Sequence, residues 1–164
     1  MNQDRELIKD QTDQDLLITH IFNAPRELVF KAWTNSEQLK RWYAPENCTI
    51  EFRHIDIKEG GTFHSCIKNP NYDDCWAKGV YLEIDAPKKL VYSMENTDEF
   101  GNDVVITQHQ NWPLKTIVTV TFEDFDGKTK LTLHQNAPEK VARQTGAYPS
   151  WIEMLNHLEA DILH

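Results

Sequence analysis

A chain of 164 residues, 40% apolar and 26% charged, is long enough to bury one core. Its 26 acidic residues outnumber 17 basic ones for a formal charge of −9, which repels phosphate backbones and anionic lipid and argues against nucleic-acid or membrane-surface partners. Uninterrupted apolar runs are only a few residues long, far short of the ~20 that cross a bilayer.

The segment up to Asp15 is polar and is expected to be loosely ordered, with one domain spanning 16–164. Leu16–Phe22 reads as a strand with Ile18, His20 and Phe22 on one face. Pro25 suits a first helical turn, and Leu28, Val29, Ala32 and Trp33 follow at helical spacing. Thr34-Asn35-Ser36-Glu37 has the pattern of a capping box and opens a second short helix carrying Leu39 and Trp42. Cys48–Lys58 alternates as a strand, with a parity change near Arg53-His54 that signals a bulge. Gly60-Gly61 turns the chain into a returning strand over Thr62–Lys68, and Asn69–Asp74 reads as a loop. Trp76–Ile84, with Val80, Leu82 and Ile84 on one side, leads through Asp85–Lys88 into Leu90–Glu95. A long polar stretch over 97–113 is expected as a lid. Thr116–Phe122 and Lys128–Gln135, joined at Asp126-Gly127, give the clearest hairpin signal in the chain. Beyond Gly146 and Pro149, the stripe Trp151, Ile152, Leu155, Leu158 and Ile162 predicts a helix with one broad apolar face. Antiparallel strands with helices at both ends predict an α+β layer packing with the last helix lying across the sheet.

The chemistry-bearing residues form no recognisable constellation. His64-x-Cys66 places two metal-type ligands on one strand face, with Cys75 and His134 available to join them. However, the alternation with Phe63 and Ile67 predicts that His64 and Cys66 simply point outward. No Gly-x-Ser-x-Gly elbow is present. Gly60-Gly61 lacks the Lys-Ser/Thr of a phosphate loop and is followed by a strand. No metal and no cofactor is expected. Cys48, Cys66 and Cys75 are an odd set without CxxC spacing, and Met1–Glu6 opens no apolar leader, so free thiols and a cytoplasmic location are expected. The five tryptophans are more telling, since Trp33, Trp42 and Trp151 sit on apolar helix faces, while Phe63 and Tyr92 sit on apolar strand faces. These side chains either fill a core or line a cavity, and His20 and Ser65 add polar groups to those faces.

The order of the segments resembles a known family. Ala24–Trp33 followed by Leu39–Pro45, then Asp56–Phe63 with its Gly-Gly turn, resemble the family named after the activator of Hsp90 ATPase, within the START-like, or SRPBCC, superfamily. Gly79–Ile84 through Val91, Val118–Phe122, Gly127–Leu133 and the Trp151-x-x-x-Leu155-x-x-Leu158 helix continue the resemblance. Lys58 stands where the family usually has Arg in its turn. The resemblance implies a helix-grip fold: a curved antiparallel sheet around a long C-terminal helix, with two short helices after the first strand. It also implies a cavity between sheet and C-terminal helix that holds a hydrophobic or aromatic small molecule. On the faces derived above, its wall is expected to comprise Trp42, Phe52, Phe63, Ser65, Ile67, Tyr92, Met94, Val118, Trp151 and Leu155. Two other readings are a cyclase- or hydrolase-type enzyme using His20 in the same cavity and a chaperone-binding module; a homodimer is compatible with each. The family supplies no shared catalytic residue.

Overall fold

In the computed structural model, residues 14–104 and 112–163 are described. Strand β1 (Asp15–Phe22) is followed by α1 (Arg26–Thr34) and α2 (Ser36–Trp42), and then by β2 (Thr49–Ile55), β3 (Thr62–Asn69), β4 (Tyr72–Asp85) and β5 (Lys89–Thr97). The hairpin β6 (Lys115–Phe125) and β7 (Lys128–Pro138) leads into α3 (Glu139–Thr145) and α4 (Ala147–Ile162). The strands form one antiparallel, seven-stranded sheet in the order β1-β7-β6-β5-β4-β3-β2. This is the expected α+β helix-grip architecture. No helix among the described residues is long and apolar enough to cross a membrane.

The local chemistry accounts for the elements. Leu16, Ile18 and Phe22 of β1 are buried on one face. The β6–β7 turn closes Phe125 against Lys128, with Asp126 and Gly127 both at positive φ, the geometry whose twist matches the flanking strands. In β2 the register shifts between Phe52 and His54, which places the bulge where the parity changes. Gly146, at φ 88°, ends α3 and starts α4, so the C-terminal helical region is two helices of 7 and 16 residues. The apolar stripe of α4 buries Trp151, Met154, Leu155 and Leu158.

Three expectations are corrected. The helix cap of α2 is Asn35, whose side chain accepts from the Gln38 amide at 3.0 Å, while Thr34 ends α1 and donates to the Phe30 carbonyl at 3.0 Å. Asn69–Asp74 is no loop: Asn69 pairs directly with Tyr72, and β4 runs on for 14 residues. Its first residues, Tyr72 to Asp74, are exposed, so the ladder forms with no apolar alternation to announce it. Third, the inward face of β4 is Ala77, Gly79 and Tyr81 rather than Val80 and Leu82, and Leu82 is exposed. A register shift between Tyr81 and Glu83 then returns Ile84 to the core side. Small residues at 77 and 79 leave room for the Phe63 ring and hide the parity of the strand.

The 97–113 stretch divides. Thr97 bridges Asp103, and the Asp98 carboxylate accepts from the amides of Phe100 and Asn102, closing a tight turn. The rest of the expected lid, 105–111, lies outside the described residues, as do residues 1–13 of the expected loose N-terminal segment.

Candidate functional site

Helices α1 and α2 pack against one end of the sheet and bring Trp33, Leu39 and Tyr43 opposite strands β2 to β5. Trp33 closes the last turn of α1, and Tyr43 is the residue that caps α2 at its C-terminus. Between these side chains and the strands lies a cavity of about 90 Å³. Phe52, Phe63, Ser65, Ile67, Cys75, Ala77, Tyr81, Leu90, Tyr92, Met94 and Asn96 complete its wall. Among the described residues, no His, Asp, Glu, Lys or Arg lines it.

Of the residues expected to line a cavity, the structure brings six together here: Phe52, Phe63, Ser65, Ile67, Tyr92 and Met94. The other four are elsewhere. Trp42, Val118, Trp151 and Leu155 are packed into the core, each with at most 3% of its surface exposed. The location also differs from the expected one, because no residue of α4 lines the space. The stripe of α4 is covered instead by the β6–β7 side of the sheet and by α1, where Val118, Val120, Leu131 and Leu133 leave no room. Trp33, which the sequence left open between core and wall, lines the cavity, and Tyr43 and Tyr81 were not anticipated there. Tyr81 follows from the Ala77-Gly79-Tyr81 parity of β4, whereas Tyr43 lies beyond the end of α2, where no periodicity applies.

The polar groups of the site are three phenols, the Ser65 hydroxyl, the Cys75 thiol and the Asn96 amide. The Tyr43 and Tyr92 hydroxyls are 2.7 Å apart, and the Tyr43 oxygen lies 4.0 Å from the Met94 sulfur. Tyr81 stands against Tyr92 and Phe63, with ring centroids 6.0 and 5.8 Å away. Burial pushes all three phenols above their usual range, so each keeps its proton at neutral pH. Behind them, the ring of Trp33 meets Trp42, Tyr43, Trp151 and Phe122 at centroid distances of 4.7 to 6.3 Å. The indole nitrogen of Trp42 donates to the Ala32 carbonyl at 3.0 Å, and that of Trp151 donates to Gln135 at 2.9 Å. The indole nitrogen of Trp33 is buried without a partner among the described residues.

The remaining candidate groups lie outside this site. His20 bonds Glu159 of α4 at 3.3 Å and packs on Phe22 at 4.3 Å, and it does not reach the cavity wall. His20, considered for an acid–base role in the cavity, thus lies apart from the cavity described above. His64 and Cys66 do sit opposite Phe63 and Ser65, but they are buried rather than solvated. The turn after β5 and Trp76 cover that outer face: the His64 ring nitrogen meets Thr97 at 3.1 Å and the Asp98 carbonyl at 3.3 Å, and its ring lies 5.1 Å from Trp76. Burial pushes the Cys66 thiol up to about 11, far from a thiolate at neutral pH. Cys75 faces the cavity on the other side of the sheet, and His134 pairs with Asp15 at 3.0 Å. The four residues considered for a metal are thus dispersed over both faces.

A family model described as activator of Hsp90 ATPase homolog 1-like protein matches residues 23–162. The chain belongs to this family. Solved structures share its fold at low identity. A protein from Arthrobacter aurescens is 20% identical with a TM-score of 0.77, over 92% of this chain and 86% of that one. A protein from Staphylococcus epidermidis is 24% identical with a TM-score of 0.75, over 90% and 88%. The AHSA1 protein from Silicibacter pomeroyi is 18% identical with a TM-score of 0.71, over 91% and 97%. At these identities the likeness concerns the fold, the START-like arrangement of curved sheet and C-terminal helix. No curated protein matches the chain in sequence.

Proposed function

We propose that this member of the family is a non-catalytic binding protein for a hydrophobic or aromatic small molecule. The observation that carries the reading is the cavity under α1 and α2, walled mainly by aromatic and aliphatic side chains and, among the described residues, without a group that is charged at neutral pH. Burying an ionised group without a partner is costly, so such a wall favours an uncharged guest. Its size of about 90 Å³ is several times the ~10–15 Å³ that one water requires. It is well below the ~300–1,000 Å³ of sites for drug-sized ligands. A guest of one ring fits with little movement, and a larger one requires the wall to open. Met94 and Phe52, both only partly buried, are the adaptable part of that wall.

The test is native mass spectrometry on the full chain, together with titration of one-ring aromatic compounds followed by NMR. Ala77→Leu adds side-chain volume to the wall and is expected to abolish binding while the protein stays folded. Undiminished binding in Ala77→Leu, or no binding of any such compound by the parent chain, removes the cavity from the account.

A further inference from the structure

The wall of the cavity carries more hydrogen-bonding capacity than it uses. Ser65 and Tyr81 are 6% and 5% exposed, yet neither hydroxyl meets a hydrogen-bond partner among the described residues. Neither oxygen is sealed off, since the fully buried side-chain nitrogen or oxygen without a partner among the described residues is that of Trp33, so both hydroxyls stay reachable and free to donate to a guest in the cavity they line. The Tyr43–Tyr92 pair adds a third source. Two hydroxyls that share one hydrogen bond retain one O–H between them, and its other outlet is the Met94 sulfur at 4.0 Å, a weak acceptor. Trp33, in the same wall, carries the buried side-chain N–H that lacks a partner among the described residues.

The contrast with the neighbouring core is sharp. There Trp151, Gln135 and Thr116 form a chain in which Trp151 donates to Gln135 at 2.9 Å and Gln135 donates to Thr116 at 3.0 Å. Ser93, one strand position from the cavity residue Tyr92, accepts from the Val80 amide at 3.0 Å. The filled side thus pairs its polar groups within the protein, while the cavity wall keeps two hydroxyls with no protein partner among the described residues. Unused hydroxyls set among the flat faces of Phe63, Tyr81 and Tyr92 match a ring that brings its own oxygen.

We propose that the cavity recognises a one-ring, uncharged compound carrying an oxygen that accepts a hydrogen bond from Tyr81 and Ser65, and discriminates against the carboxylate of the same ring. The proposal rests on the binding reading above and names the chemistry of its guest. A plain hydrocarbon ring fills the same volume but leaves the hydroxyls unpaired. A carboxylate would pair with them, but it brings a charge into a wall that, among the described residues, holds no cation to balance it.

The experiment titrates the full chain with phenol, toluene and benzoate, and repeats the titrations on Tyr81→Phe and Ser65→Ala. Amide NMR spectra establish that each variant is folded, and either variant alone suffices if the other does not fold. Phenol and toluene have nearly the same shape, so each serves as the packing control for the other. Each substitution is expected to weaken phenol about five- to tenfold, the range of one neutral hydrogen bond, and to leave toluene within about twofold. Benzoate is expected to bind at least about tenfold more weakly than phenol. Equal losses for phenol and toluene, no loss for phenol, or benzoate binding as tightly as phenol would overturn the proposal while leaving the cavity as a binding site. Failure of phenol and toluene alike to bind the parent chain would remove the binding reading itself, and this proposal with it.

Discussion

The two halves of the sheet face that carries the helices are both apolar and end in opposite states. On the β1, β7 and β6 side, α4 presses Leu155 and Leu158 against Val118, Val120, Leu131 and Leu133, and none of these retains exposed surface. On the β2 to β5 side, α1 and α2 arch over Phe63, Tyr81 and Tyr92 and leave a cavity of about 90 Å³. The difference comes from shape. Branched aliphatic side chains on a helix and a sheet interdigitate without gaps. Large rings meeting edge to face, as Phe63 and Tyr92 do at 76°, bridge across space that smaller side chains would fill. The filled half supplies cohesion, and the hollow half holds the candidate site.

The strongest test of this contrast is truncation on the filled side. Leu155→Ala is expected to cost about 4 kcal/mol in urea-induced unfolding, because a packed neighbourhood cannot collapse onto the gap. Met94→Ala, at the rim of the hollow, is expected to cost about 1 kcal/mol or less, since the space beside it is already open. Comparable losses for the two would erase the distinction between the halves.

Gly79→Ala should come next. A Cβ there would run into the Ser93 carbonyl oxygen of β5 and the Phe63 ring. A loss of about 3 kcal/mol in the same assay is expected, with the Phe63 ring displaced toward the cavity. A neutral outcome would mean that β4 is less closely backed by β5 than the structure shows.

The tryptophans sharpen the comparison at smaller scale. Trp151→Phe removes a donor from Gln135 inside the filled half, and about 2 kcal/mol of destabilisation is expected. Trp33→Phe removes a donor that has no partner among the described residues, so the cost of its lost ring volume is partly offset, and a change of about 1 kcal/mol or less is expected. Thermal or urea melts of both variants check the order.

The mildest effect is alkaline. Tyr43 and Tyr92 of the hollow half have an ordinary phenol value of 10.0, and burial raises both. Above about pH 10 the unfolded chain releases phenolic protons that the folded chain keeps, so the unfolded state binds fewer protons and stability declines as pH rises. Below that pH these groups leave stability flat. A urea series from pH 8 to 11 is expected to show the decline, and Tyr43→Phe with Tyr92→Phe is expected to lessen it, with Tyr81 keeping its own share.

The sheet and its helices were largely legible in the sequence because period-two and helical stripes report which face of an element is apolar. The β6–β7 hairpin, the β2 bulge and the break at Gly146 all follow from such local signals. The hollow was legible only in part. Phe52, Phe63, Ser65, Ile67, Tyr92 and Met94 share the inward face, and so do Val118 and Leu155, but alternation does not tell which inward residues meet a partner that fills the space. Trp42 and Trp151 were expected in the wall and lie in the core, because that depends on where α1 and α2 sit across the sheet. Tyr43 reaches the cavity from beyond a helix end, and Gly79 masked the parity of β4. The burial of His64 and Cys66 depends on the turn at 98–103, far from them in sequence.

The most direct measurement is an NMR titration of the full chain with a one-ring aromatic compound, followed at side-chain methyl groups on both halves at once. Shifts at Met94 and Ile67, with Leu155 and Leu158 unmoved, are expected if the space under α1 and α2 is the binding site. Shifts centred on Leu155 and Leu158, or none on either half, would contradict it.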